Sequence, residues 1–158
     1  MTVVDASIVV RLLQNRDGDE PLRERFATQR YVHAPQLIDA EVTSAIRGLL
    51  LTSRADIRIS PARAGEMLDD FADLSIARYP MLPYQRRVLA LRDNFTAYDA
   101  FYVALAESLN MPLLTGDGKY DRAAGHAAII ETYPYRPGDR GRPAPGGGRC
   151  RRREPGAG

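Results

Sequence analysis

The apolar positions of this chain change their period several times. Residues 2–4, Thr2-Val3-Val4, form a short β-branched run that predicts a buried strand. Ser7 then reads as the cap of a helix running to about Leu13. Residues 15–20 are polar and turn-like, residues 22–28 read as helix, and residues 31–33 as a short strand ending at Pro35. Between Gln36 and Thr52 the residues Ile38, Val42, Ala45 and Leu49 recur at spacings of four, three and four, the stripe of an amphipathic helix. Ser60-Pro61 is a helix start, a cap followed by proline at the first helical position, and it predicts a helix to about Leu74. Residues 76–79 read as strand, residues 84–92 and 98–109 as helices, and residues 112–115 and 128–130 as the last strands.

Strands that alternate with helices predict an α/β fold with a central, mainly parallel sheet and helices on both faces. In such sheets ligands gather at the carboxyl ends of the strands, so residues just after each strand are the first place to look for chemistry.

Composition narrows the class. The 158 residues, 44% hydrophobic and 27% charged, suit one soluble domain with a single core. No apolar run approaches the ~20 residues of a membrane helix, and residues 1–5 lack a signal-peptide pattern, so a cytoplasmic protein without a membrane segment is expected. A single cysteine, Cys150, excludes an internal disulfide. Charge is unevenly spread. Residues 136–158 hold seven arginines against Asp139 and Glu154, a net +5, so the total of +2 leaves the rest of the chain mildly acidic at −3. That segment is dense in Gly, Pro and Arg and nearly free of apolar side chains; it reads as a disordered tail following a domain at 1–135.

Four acids stand out. Asp5 directly follows the first strand, and Asp117 follows the strand ending at Thr115 by one glycine, which puts both at the carboxyl edge of a parallel sheet. Glu41 borders the apolar stripe of its helix at roughly 60° from the centre, whereas Asp39 points more toward solvent. Asp99 is the one charged side chain in residues 97–106, AYDAFYVALA, a helix apolar enough to be buried on several sides. Each has an ordinary structural reading: a turn for Asp5 and for Gly116-Asp117-Gly118, a boundary position for Glu41, and a capping-box variant for Thr96-x-x-Asp99. Their coincidence near one sheet edge is less easily ordinary. Clustered carboxylates repel unless a cation compensates, and oxygen-only ligands suit Mg²⁺ or Mn²⁺. Zinc is disfavoured: His33 and His126 are far apart and Cys150 lies in the tail. There is no P-loop, no GxGxxG and no Ser-His-Asp pattern, and His33, inside a strand, reads as structural.

Val3-Val4-Asp5-Ala6-Ser7, Glu41 in an Ala-Glu-Val helix, Tyr98 to Ala106, and Pro112-Leu113-Leu114-Thr115-Gly116-Asp117 together resemble the PIN domain family, in particular the VapC toxins of bacterial toxin–antitoxin pairs. The resemblance runs from about Thr2 to Tyr133. It implies a three-layer fold and a metal site of Asp5, Glu41, Asp99 and Asp117, with Ser7 and Thr115 in supporting positions. Asp121, after Lys119-Tyr120, is left open as a further contributor. It also implies an Mg²⁺- or Mn²⁺-dependent endoribonuclease acting on an RNA substrate, a cognate antitoxin that blocks the site, and a homodimer. Arg11, Arg47, Arg86 and Arg87 are candidates for phosphate contacts. DNA cleavage and a catalytically degenerate binding module stand as alternatives. A phosphoacceptor receiver is disfavoured, because the central strand 76–79 runs into Pro80 and Lys119 follows a glycine turn.

Overall fold

The structure, a computed structural model, describes residues 1–134. Tail residues 136–158 and Cys150 lie outside the described residues. Five strands form one sheet: β1 (Thr2–Val4), β2 (Val32–Pro35), β3 (Ile76–Tyr79), β4 (Leu113–Thr115) and β5 (Ile130–Thr132). The helices are α1 (Ala6–Gln14), α2 (Glu20–Ala27), α3 (Leu37–Leu51), α4 (Pro61–Asp73), α5 (Gln85–Ala90) and α6 (Ala97–Leu109). Strand order is β3-β2-β1-β4-β5, with every described pair parallel. The expected α/β class is present, and the sheet is wholly parallel where a mainly parallel one was expected.

This order places β1 at the centre. The chain runs outward from β1 through β2 to β3, then returns to the other side of β1 for β4 and β5. Right-handed crossovers therefore carry the helices between β1 and β3 on one face and those between β3 and β4 on the other. The packing agrees: α1, α3 and α4 contact one another, while α5 packs on α6 and α6 lies against β1, β2 and β4. Val3, Val4, Leu113 and Leu114 are fully buried, as a parallel sheet covered on both faces requires. Burying each such side chain contributes roughly 1.5–3 kcal/mol. Helix α6 is buried from Tyr102 through Ala106 without a break, which is why its sequence lacks an amphipathic stripe.

Most predicted boundaries agree within two residues. Ser60 caps α4 by accepting from the Arg63 N–H at 3.1 Å, with Pro61 next. Two readings need correction. The cap of α1 is Asp5, whose side chain accepts from the Ile8 N–H; Ser7 lies inside the helix. The last strand is Ile130–Thr132, two residues later than its apolar run suggests, because pairing with β4 puts Leu113 opposite Ile130 and Thr115 opposite Thr132. Among the described residues no helix is long and apolar enough to cross a membrane.

A candidate acidic active site

The reversal of strand order falls between β1 and β4, and the residues that leave those strands lie at the carboxyl edge, where a parallel sheet is expected to open a crevice for ligands. Asp5 follows β1 and is 7% exposed. Its Oδ1 accepts from Ser7 Oγ at 2.6 Å and from the Ile8 N–H at 3.1 Å; its Oδ2 accepts from Thr115 Oγ1 on β4. One carboxylate thus caps the start of α1 and joins the two central strands. Burial pushes its pKa up, against the hydrogen bonds from Ser7, Thr115 and Ile8 that favour the charged form.

Ser7 and Thr115 also carry the chain beyond β4. Ser7 Oγ accepts from the Gly116 N–H at 2.9 Å, and Thr115 Oγ1 accepts from the Asp117 N–H at 3.1 Å. Gly116 must be glycine for this approach, since a Cβ there would stand 2.8 Å from Ser7 Oγ. Asp117 is held in turn by the Lys119 N–H, which donates to its Oδ1 at 2.9 Å. Ser7 and Thr115 thus both bond Asp5, and Thr115 also bonds the Asp117 backbone.

Glu41 lies on α3, which starts just after β2, and Asp99 lies in the first turn of α6. Both helices begin near the strand ends, and their N-termini favour negative charge there. Tyr102 on α6 donates its hydroxyl to Glu41 Oε2. Burial raises the Glu41 pKa; the Tyr102 bond opposes this, and the charges of Asp5 and Asp99 add to it. Asp99 accepts from Thr96 Oγ1 at 2.6 Å and from the Tyr120 hydroxyl at 3.0 Å. Its backbone N–H donates to Thr96 Oγ1, so the capping role read from the sequence is real and coexists with a place among the acids. Asp39, by contrast, pairs with Arg78.

Lys119 brings a cation into this group. Lys119 Nζ is 2.8 Å from Asp99 Oδ2 and 3.1 Å from Asp117 Oδ2. Burial raises the Asp117 carboxyl, and the Lys119 N–H and ammonium outweigh it, leaving the pKa below the ordinary carboxylate value. Among the described residues no group of three or more His, Cys, Asp or Glu side chains is already arranged to hold a metal ion. The donor set nevertheless fits a hard divalent cation: four carboxylates, with neither histidine among them. His33 faces the Tyr79 hydroxyl on β3, and His126 packs against Phe95.

The model of the PIN domain matches residues 2–126. The chain belongs to the PIN domain family. Within that family it is similar to Ribonuclease VapC12 of Mycobacterium tuberculosis, 36% identical over 131 residues that cover 83% of this chain and 98% of the relative. It is also similar to Ribonuclease VapC1 of the same organism, 39% identical over 124 residues covering 78% of this chain and 90% of that one. Solved structures share its PIN fold. VapBC2 from Rickettsia felis, bound to a promoter DNA fragment, has a TM-score of 0.60 at 14% identity, covering 84% of this chain and 98% of that one. Mycobacterium tuberculosis VapC20, described as a Sarcin-Ricin loop cleaving toxin, has a TM-score of 0.60 at 12% identity, covering 82% and 98%.

Sequence reasoning missed three side chains that contact the candidate acids. Tyr102 had a signal, three residues after Asp99 and therefore on the same helix face. Tyr120 and Lys119 had none, because they reach Asp99 from a short turn after β4. Two of the suggested phosphate-contacting arginines have structural partners instead. Arg87 makes a two-pronged pair with Glu107, and Arg11 bonds Asp19 and the Tyr133 carbonyl. Arg47 and Arg86 are exposed, with nothing tying them to the acids.

Proposed function

We propose that this protein is a divalent-metal-dependent endoribonuclease, the toxin of a toxin–antitoxin pair, and that Asp5, Glu41, Asp99 and Asp117 hold its Mg²⁺ or Mn²⁺. The observation that carries this reading is that the four acids, carried by β1, α3, α6 and the segment after β4, act on one another: Glu41 feels the charges of Asp5 and Asp99, and Lys119 joins Asp99 to Asp117. Relatives that match most of the folded chain are named ribonucleases, and neighbours of the same fold are toxin–antitoxin complexes. RNA as substrate, an antitoxin as inhibitor, and a homodimer belong to the same reading.

A divalent ion at these acids would supply an electrophile for the scissile phosphate and a bound water of lowered pKa. The chain's own residues prepare the place. Ser7, Thr115 and the Ile8 N–H fix both oxygens of Asp5, so this ligand needs no reordering. Burial keeps the Tyr102 and Tyr120 hydroxyls protonated, so they remain donors that orient Glu41 and Asp99. Preorganised ligands of this kind hold an ion with less entropic loss than mobile ones.

The test is RNA cleavage by purified protein in Mg²⁺, in EDTA, and after Mn²⁺ is restored to the EDTA sample. The proposal expects cleavage, loss and recovery. Undiminished cutting in EDTA contradicts it.

A further inference from the structure

We propose that the ammonium of Lys119 is a built-in counter-ion that stands at the cation position between Asp99 and Asp117 and must leave when a divalent ion binds; this rests on the metal reading above. Its Nζ contacts both carboxylates, at 2.8 and 3.1 Å, and through them bridges the first turn of α6 to the segment after β4. These are two of the elements that a shared ion would join. Lysine suits the place better than arginine: it presents a compact point charge with three donors, whereas a guanidinium is a broad planar fork. The chain uses arginine everywhere else, and its one lysine is here.

The backbone is built for the side chain to move. Asp117 stays anchored through Thr115 Oγ1 and the Lys119 N–H, so the ammonium's departure does not release the carboxylate. The Lys119 side chain is 46% exposed, on a flexible stem with solvent beside it. In the metal-free protein it offsets the mutual repulsion of the acids, an effect that also reaches Glu41.

Loss of the ammonium should strengthen ion binding. Exposed ion pairs are individually weak, so freeing two of them gives roughly tenfold. Mn²⁺ binding to the full chain is measured from the free-ion spin-resonance signal at fixed pH and salt, for wild type, Lys119→Met and Lys119→Arg. The proposal expects the Met variant to bind about tenfold more tightly and, without metal, to melt lower than wild type. The Arg variant, which keeps the charge, should stay within about twofold of wild type. Lys119→Gln repeats the measurement if the Met variant fails to fold. Equal or weaker Mn²⁺ binding by a folded neutral variant overturns the counter-ion and leaves the metal reading standing. Absence of Mn²⁺ binding in wild type and neutral variant alike overturns both.

Discussion

Tyr102 donates its hydroxyl to Glu41, and this bond ties the buried helix α6 to α3 at the mouth of the acidic crevice. The tyrosine is 2% exposed, so its oxygen has little water to turn to. Tyr102→Phe keeps the ring packing and removes the donor. Hydrogen bonds to charged groups are worth about 1.5–3 kcal/mol, and half-buried Glu41 recovers part of that from solvent. A loss of about 1–2 kcal/mol in urea unfolding is expected. The Glu41 pKa should also rise further, because the Tyr102 bond is the larger of the two influences, with the Lys119 charge, that oppose its burial. Unchanged stability and unchanged Mn²⁺ affinity would show that the bond has no role in placing Glu41.

Gly116 and Ser7 should behave as a coupled pair. Gly116→Ala puts a methyl 2.8 Å from Ser7 Oγ, the atom that holds Asp5 and the Gly116 N–H. Overpacking of this kind costs about 1–3 kcal/mol. In Ser7→Ala the oxygen is gone and the nearest remaining atom, Ser7 Cβ, is 3.5 Å away, an ordinary contact. The double variant should therefore lose less stability than the two single losses added together. Strict additivity in thermal melts would contradict this view of the turn.

The reach of the sequence is clearest at these residues. Asp5 and Asp117 were legible because a residue just after a strand in a parallel sheet has few places to go, and Glu41 because it borders an apolar stripe. The α6 segment was legible from its unbroken apolar run around Asp99. Boundary errors had specific causes. Asp5 displaced Ser7 as the α1 cap because a β-region residue two positions earlier offered its carboxylate to the Ile8 N–H. The last strand moved because its register is set by Leu113 across the sheet and not by its own apolar residues. Lys119 and Tyr120 could not be read at all: their partner Asp99 lies about twenty residues away, and only the folded turn brings them to it.

Away from the crevice, Glu107 offers a test of the electrostatics. The Arg87 guanidinium holds its pKa below the ordinary value against burial, with the Ala127 N–H assisting. A depressed folded pKa contributes stability above the unfolded carboxylate range, and that contribution fades as pH falls through the folded value. Glu107 is 15% exposed but Arg87 is 40% exposed, so solvent screens the pair. Glu107→Gln should cost about 1 kcal/mol at pH 7, and the gap to wild type should close as pH drops below the ordinary range. A gap that stays constant down to pH 3 would assign the loss to shape and not to charge.

The most direct test of the central claim is Asp99→Asn, measured for RNA cleavage and for melting with and without Mg²⁺. Asn keeps an acceptor for Thr96 or Tyr120 and the backbone cap, loses the Lys119 pair, and relieves repulsion with Glu41. Metal-free stability should accordingly stay within about 1 kcal/mol of wild type. Cleavage should disappear, and the rise in melting temperature on adding Mg²⁺ should shrink, because a ligand stabilises a fold only as far as it binds it. An Asp99→Asn protein that still cuts RNA and is stabilised by Mg²⁺ as strongly as wild type would contradict the account.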